Sequence, residues 1–181
     1  MGNSTHRVEI VPVKLGPHPN ADSLSVVHIF SGGYTCCVKT ADWEDGQLAA
    51  YIVPDSVVDS SRPEFTFCAG HERIKVKKLR GIVSMGLLIP APEGAKVGDD
   101  VAEQLGVTHY EPPVSLTMGG ERENPPDGYR PVFDVDSLRR YAHVFVEGEP
   151  VWVSEKLHGA NARFVCLDGD MYCGSRTEWK Q

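Results

Sequence analysis

The chain has 181 residues, of which 41% are hydrophobic and 24% charged, with a formal net charge of −7. That balance fits a soluble globular protein of one to two domains and excludes wholesale disorder. It also excludes a protein that coats nucleic acid through bulk positive charge, and no apolar run approaches the length that spans a bilayer. Met1–Val8 has no apolar stretch to serve as a signal peptide, and His6 stands where a myristoylation motif after Gly2 requires Ser or Thr. Five cysteines, Cys36, Cys37, Cys68, Cys166 and Cys173, form no C-x-x-C pair. They read as reduced thiols of a cytoplasmic protein with no zinc site and no membrane association.

Short strands broken by turns are expected first. His6–Val13 alternates, with Val8, Ile10 and Pro12 on one side. Ser25–Phe30 and Tyr34–Thr40 follow, separated by the Ser31-Gly32-Gly33 turn, and Leu48–Val53 closes at Pro54-Asp55. Arg73–Leu79 alternates again, with Ile74 and Val76 opposite Arg73, Lys75 and Lys77. Val83–Ile89 is the next expected strand and ends at Pro90. Short strands with Gly/Pro punctuation point to a small barrel or sandwich. Asp99–Leu105 reads as a helix capped by Asp99 or Asp100 and ended by Gly106.

Residues 111–131, with Pro112-Pro113, Gly119-Gly120, Pro125-Pro126 and Asp127-Gly128, read as a linker rather than a packed element. Beyond it, Val135–Tyr141 is expected to be helical with Arg139 and Arg140 facing outward. Val151 and Val153 mark one strand, and Phe164, Val165 and Leu167 a second. Asp168-Gly169 makes a hairpin turn into Met171-Tyr172-Cys173.

Two groups of residues carry candidate chemistry. Between His71 and Arg80, five cations (Arg73, Lys75, Lys77, Lys78, Arg80) stand against one carboxylate, Glu72. This local patch suits phosphate contacts on an otherwise acidic chain, and it equally suits a solvated outer barrel face. Tyr34, Trp43 and Tyr51 are candidates for base stacking or for a barrel core. The second group is Glu155-Lys156-Leu157-His158-Gly159-Ala160-Asn161, where a lysine leaves an apolar strand and a glycine three residues on permits a tight turn. A lysine held in a pocket near other cations can supply the neutral amine that nucleotidyl transfer requires. The K-x-x-G spacing alone is weak, since Lys78-Leu79-Arg80-Gly81 matches it too.

Glu155-Lys156-Leu157-His158-Gly159-Ala160-Asn161 resembles the nucleotidyl-acceptor motif of polynucleotide ligases, in the E-K-x-H-G-x-N form of RNA ligases. Ser175-Arg176 is similar to the second motif of that superfamily. His18-Pro19-Asn20-Ala21-Asp22-Ser23-Leu24 resembles the opening of tRNA-binding OB modules. With Lys78-Leu79-Arg80-Gly81-Ile82-Val83-Ser84-Met85-Gly86-Leu87-Leu88, it looks like the OB domain of Deinococcus-type RNA ligases.

The resemblance implies a mainly β fold. An N-terminal OB-type β-barrel would occupy residues 1–110, followed by the linker at 111–131. The first strands of an α+β nucleotidyltransferase domain of the ligase type, unrelated to ATP-grasp, would occupy 132–181. It also implies an ATP-dependent RNA ligase that joins RNA ends or nicked duplexes in repair, with ATP and a divalent metal (Mg2+ or Mn2+) as cofactors. Lys156 would form the lysyl–adenylate and Glu155 would lie beside the adenine. Gly159 would let the backbone approach the nucleotide. His158 and Asn161 fall on positions that matter in RNA ligases, and Arg176 would contact the nucleotide or the RNA end. Arg73, Lys75, Lys77, Lys78 and Arg80 would line the RNA side.

The later superfamily motifs, with their metal-binding carboxylates, have no counterpart before Lys156. The chain is therefore expected to be truncated after the second ligase motif and inactive by itself. Two other readings stay open: a stand-alone OB-fold RNA- or tRNA-binding module without catalytic activity, and a capping-type or other nucleotidyltransferase. Nothing in the sequence signals an oligomeric state.

Overall fold

A computed structural model describes residues 6–110, 122–123, 135–156, 159, 161–175 and 179–180. The chain divides into two units, one of Thr5–Glu111 with Asp136–Phe145 and one of Met1–Ser4, Pro112–Val135 and Val146–Gln181. Among the described residues no helix is long and apolar enough to cross a membrane.

The first unit is built on short strands: β1 (Val8–Pro12), β2 (Leu15–Pro17), β3 (Leu24–Ile29), β4 (Tyr34–Lys39), β5 (Leu48–Ile52), β6 (Ser56–Val57), β7 (Lys77–Leu79), β8 (Ile82–Ser84), β9 (Leu87–Pro90) and β10 (Thr108–His109). They pair antiparallel as β1-β5-β9, β2-β3-β4, β7-β8 and β6-β10. The apolar run of β5 is explained by burial on both faces. Ala50 and Ile52 join a core with Val8, Ile10, Phe65, Ile89 and Leu105. Ala49 and Tyr51 point the other way, into a core with Val11, Val13, Val27, Ile29 and Cys36. The same double cover corrects the expected single inner face of β1. Val8, Ile10 and Val11 are all buried, whereas Pro12 is exposed.

The expected strand Val83–Ile89 is broken at Met85-Gly86, where the chain leaves β4 and crosses to β5. The Met85 N–H donates to the Thr35 carbonyl (2.7 Å), and the Met85 carbonyl accepts the Tyr51 hydroxyl (2.9 Å). Gly86 has φ +101, and a side-chain carbon there would lie 2.5 Å from the Ile52 carbonyl oxygen and 2.8 Å from the Tyr51 ring. Only glycine fits that crossing. The expected strand Arg73–Leu79 also shrinks. Arg73 makes a single bridge to Val57 and the ladder begins at Lys77. Ile74 is buried, but Val76 is 54% exposed and pairs with no strand among the described residues.

Helix α1 (Ala102–Leu105) ends as expected at Gly106 but starts later than expected, with Val101 rather than Asp99 or Asp100 at its N-cap. The Asp100 carboxylate accepts the Ala102 N–H (3.1 Å) and the Val8 N–H (3.1 Å), and Gly106 closes the helix in the left-handed conformation. Helix α2 (Leu138–Tyr141) belongs to the first unit and is capped by the Ser137 hydroxyl. Its expected outward arginines are half corrected. Leu138 is 60% exposed and Arg140 only 9%. Arg140 is drawn in by Glu9 (3.1 Å) and by the Phe30 ring, 5.0 Å from its guanidinium carbon.

In the second unit, β11 (Arg122–Glu123), β12 (Arg163–Leu167), β13 (Asp170–Gly174) and β14 (Trp179–Lys180) form an antiparallel sheet in the order β11-β14-β13-β12. β11 comes from within the stretch expected to be a linker. Asp168-Gly169, with φ +52 and +94, makes the expected two-residue turn between β12 and β13. No strand forms at Val151 and Val153. That segment is irregular, and Trp152 and Val153 are exposed. β-propensity without a ladder partner does not make a strand.

Candidate functional site

Two separate sets of residues carry the candidate chemistry. On the first unit, β7 and β8 form a hairpin turning through Arg80 (φ +45) and Gly81 (φ +96), in register Lys77↔Ser84, Lys78↔Val83 and Leu79↔Ile82. The loop His18-Pro19-Asn20 holds this turn. His18 Nδ1 accepts the Asn20 N–H (3.1 Å), which leaves Nε2 as the donor to the Leu79 carbonyl (3.2 Å). The Asn20 side-chain amide donates to the Arg80 carbonyl (2.9 Å), and His18 is buried. The two sequence stretches that resemble an OB module are thus the two partners of one latch.

The latch presents Lys77, Lys78 and Arg80, all exposed, with Lys75 exposed just before them. Adjacent strand residues face opposite ways, so Lys77 and Lys78 lie on opposite sides of the hairpin. Arg73 is differently placed. Its Nε and Nη2 both donate to Asp55 Oδ1 (3.0 and 2.7 Å), and its guanidinium carbon sits 3.6 Å from the centre of the Tyr110 ring. That guanidinium fastens the chain at Asp55, whose φ is +64.

Of the stacking candidates, Tyr51 is fully buried, and Tyr34 packs with Phe30 and Tyr51 at centroid distances of 6.0 and 5.6 Å. Trp43 alone is left on an accessible wall, together with Phe67, which sequence reasoning missed. Phe67 stands in a mostly apolar turn of 3-10 helix (Pro63–Cys68) next to the buried Phe65 and Cys68, so the sequence does not distinguish it from a core residue. Behind Trp43, burial and the neighbouring Cys37 push the Cys36 thiol up to about 12, and burial raises Cys37 as well. Both stay protonated at neutral pH, and neither is a ready nucleophile.

The second set lies on the second unit. Glu155 and Lys156 are exposed on the irregular segment after Val153, Gly159 is exposed, and Asn161 is exposed two residues before β12. Among the described residues, a side-chain carbon at Gly159 would meet nothing within 4 Å. Hairpin β12–β13 follows at once, and Ser175 comes directly after β13. Arg163, at the start of β12, donates through Nε to the Ser175 carbonyl and stands 4.8 Å over the Trp179 ring. His158 and Arg176 lie outside the described residues. Among the described residues, no group of three or more His, Cys, Asp or Glu side chains is placed to hold a metal ion.

A family model described as an OB-fold domain matches residues 7–91. A comparison with curated proteins returned no match. Among solved structures, the chain is similar to the Naegleria gruberi RNA ligase with PPi: 25% identity, TM-score 0.76, covering 98% of this chain and 57% of that one. It is similar to an apo mutant of the same ligase at 25% identity and TM-score 0.77, covering 99% of this chain and 57% of that one. A mutant of that ligase with ATP and Mn aligns at 23% identity and TM-score 0.77, covering 96% of this chain and 56% of that one. The chain thus spans a little over half the length of the structures it matches. The first unit contains an OB-fold domain, and the chain as a whole is mainly β and similar in fold to part of an RNA ligase.

Proposed function

We propose that this chain is the OB-bearing part of an ATP-dependent RNA ligase of the Deinococcus type, a cytoplasmic RNA-repair enzyme in which Lys156 becomes covalently adenylylated. The observation that carries this reading is the placement of Glu155-Lys156-Leu157-His158-Gly159-Ala160-Asn161 directly before the β12–β13 hairpin. The fold around that placement is similar to an RNA ligase over 98% of the chain.

ATP fits the chemistry of the donor set. In the first step the neutral Lys156 amine attacks the α-phosphorus. A P–N bond forms, the α–β phosphoanhydride bond breaks, pyrophosphate leaves, and the amine gives up its proton. Gly159 would let the backbone approach the nucleotide, Asn161 offers an amide to ribose or phosphate oxygens, and Glu155 lies beside the adenine. His158 and Arg176 complete the motif, Arg176 with a planar fork suited to phosphate. An RNA 5′-phosphate oxygen next displaces the lysine, and a 3′-hydroxyl then displaces AMP. Lys75, Lys77, Lys78 and Arg80 would hold the RNA backbone by charge. Arg73, bonded to Asp55, would support the loop that carries them. Among the described residues no carboxylate cluster is placed to hold a divalent metal; the similar ligase is solved with ATP and Mn, and a divalent metal bound with ATP would neutralise its phosphates.

The test is adenylylation with α-labelled ATP and manganese. It would use the chain itself, a version extended with the remaining ligase strands, and Lys156→Ala in each. Label on the extended protein that vanishes in Lys156→Ala is the expected result, with little or none on the 181-residue chain. No label on a folded extended protein would favour the second reading, an OB-fold RNA- or tRNA-binding module. The exposure of residues 151–156, in contrast to the well-packed core of the first unit, supports that alternative.

A further inference from the structure

The first unit holds a cleft of about 800 Å3, within the size range of small-ligand sites, between β4, β9 and the turn of 3-10 helix at Pro63–Cys68. Its origin is the crossing at Gly86, which takes the chain away from β4. Beyond it, no backbone hydrogen bond among the described residues joins β4 to β9.

Strand alternation fixes what the two edges offer. The Thr40 N–H bonds to the Ser23 carbonyl, so the Val38 and Cys36 backbones face β3 while Cys37 and Lys39 face away. The Cys37 N–H agrees, donating to the Ser84 hydroxyl (3.0 Å). On the other side, the Ala91 N–H bonds to the Leu48 carbonyl, which turns Leu88 and Pro90 away from β5. The cleft therefore receives a strip of backbone donors and acceptors from Lys39 and Leu88. Its walls add the half-buried Trp43 ring and Phe67, 65% exposed, and its rim adds the exposed Lys39 ammonium.

We propose that this cleft takes one unpaired nucleobase of a single-stranded RNA, stacked against Trp43 and Phe67. The base edge would be read by the Lys39 and Leu88 backbone groups, with the adjoining phosphate on the Lys39 ammonium. A planar heteroaromatic ring uses the aromatic walls and the backbone strip together. A peptide strand adding to the seam is less well served, because Pro90 and Pro92 supply no N–H on the β9 side. The inference rests on the barrel binding RNA and is independent of the ligase chemistry at Lys156.

The experiment titrates the full chain with a single-stranded RNA hexamer and with a blunt duplex, reading tryptophan fluorescence and the anisotropy of a labelled RNA. The hexamer is expected to quench the tryptophan signal and the duplex to leave it unchanged. Phe67→Ala, a surface change that spares the core, should weaken hexamer binding about tenfold. Trp43→Phe should keep most of the affinity and lose most of the quench. Lys77→Glu with Lys78→Glu should weaken binding and flatten its salt dependence, yet keep the quench at saturation. Hexamer binding unchanged in Phe67→Ala and in a folded Trp43→Ala would overturn the proposal while leaving RNA binding to the basic hairpin. No RNA binding by the unaltered chain would remove the RNA reading and the proposal together. A base-independent shift of the Lys39 and Leu88 amide resonances by an apolar peptide would overturn it in favour of a strand-binding seam.

Discussion

The two units bury their apolar residues to very different degrees. In the first, β5 contributes side chains to two cores at once, and Tyr51, Phe65, Ile10 and Ile52 are all below 2% exposed. In the second, Trp152, Val153, Phe164 and Met171 are 103, 90, 73 and 69% exposed, and Trp179 is the one large apolar side chain fully buried among the described residues. A sheet held by ladder hydrogen bonds with one open apolar face gains little from the hydrophobic effect. The barrel thus has the means to be stable without help, while the segment carrying Lys156 is irregular and exposed. The proposed chemistry sits on the less consolidated side of the chain, and the proposed RNA contacts on the more consolidated side.

Hydrogen exchange would put this contrast to its hardest test. Amides of β1 and β5 should exchange only on global unfolding, whereas those of Ser154, Glu155 and Lys156 should exchange about a thousandfold faster or more. Equal protection in both regions would show that the second unit has a core of its own, and the comparison would collapse. Gly86→Ala attacks the contrast from the barrel side. The positive φ and the contacts with Ile52 and Tyr51 make the substitution strained and overpacked, with an expected loss of about 3 kcal/mol in chemical denaturation. Exchange in the β12–β13 hairpin should stay as it was. A variant as stable as the parent would mean that the Met85-Gly86 crossing is not what closes the barrel.

What could be read in advance follows the same division. β5 was legible because both of its faces meet a core, β3 and β4 because alternate residues (Val27 and Ile29, Cys36 and Val38) enter one, and the Asp168-Gly169 turn because its two residues suit positive φ in sequence. The break at Gly86 was not, since the reason for it is a steric encounter with β5, more than thirty residues earlier in the chain. Val151 and Val153 carry strand propensity but find no ladder, which no local pattern reports. Arg140 reads as a surface residue until Glu9, at the other end of the chain, supplies its carboxylate. Of the candidate site, the Lys156 motif and the basic hairpin were visible as residue types. The role of His18 and Asn20 in holding that hairpin, and the cleft beside Trp43, arise only where distant strands meet.

The smallest expected effect concerns the barrel's own tie to the start of the chain. His6 Nε2 hydrogen-bonds the Ser56 hydroxyl (2.8 Å), and its ring lies 5.6 Å from that of His109, which is carried by the strand paired with β6. Burial holds the His6 pKa below its ordinary value, helped by repulsion from His109 and, more weakly, from Arg140, while Asp100 pulls the other way. Above the ordinary histidine value both folded and unfolded chains carry a neutral ring, and the residue contributes no pH dependence. As the pH falls through that value, the unfolded chain takes up a proton that the folded chain resists, so stability is lost progressively until the folded pKa is passed. Denaturation midpoints should therefore decline from roughly pH 7.5 to pH 5, and His6→Gln, which can still reach Ser56, should flatten the decline. An unaltered slope in His6→Gln would assign the acid sensitivity elsewhere and leave the first described residue a bystander to the barrel rather than part of its closure.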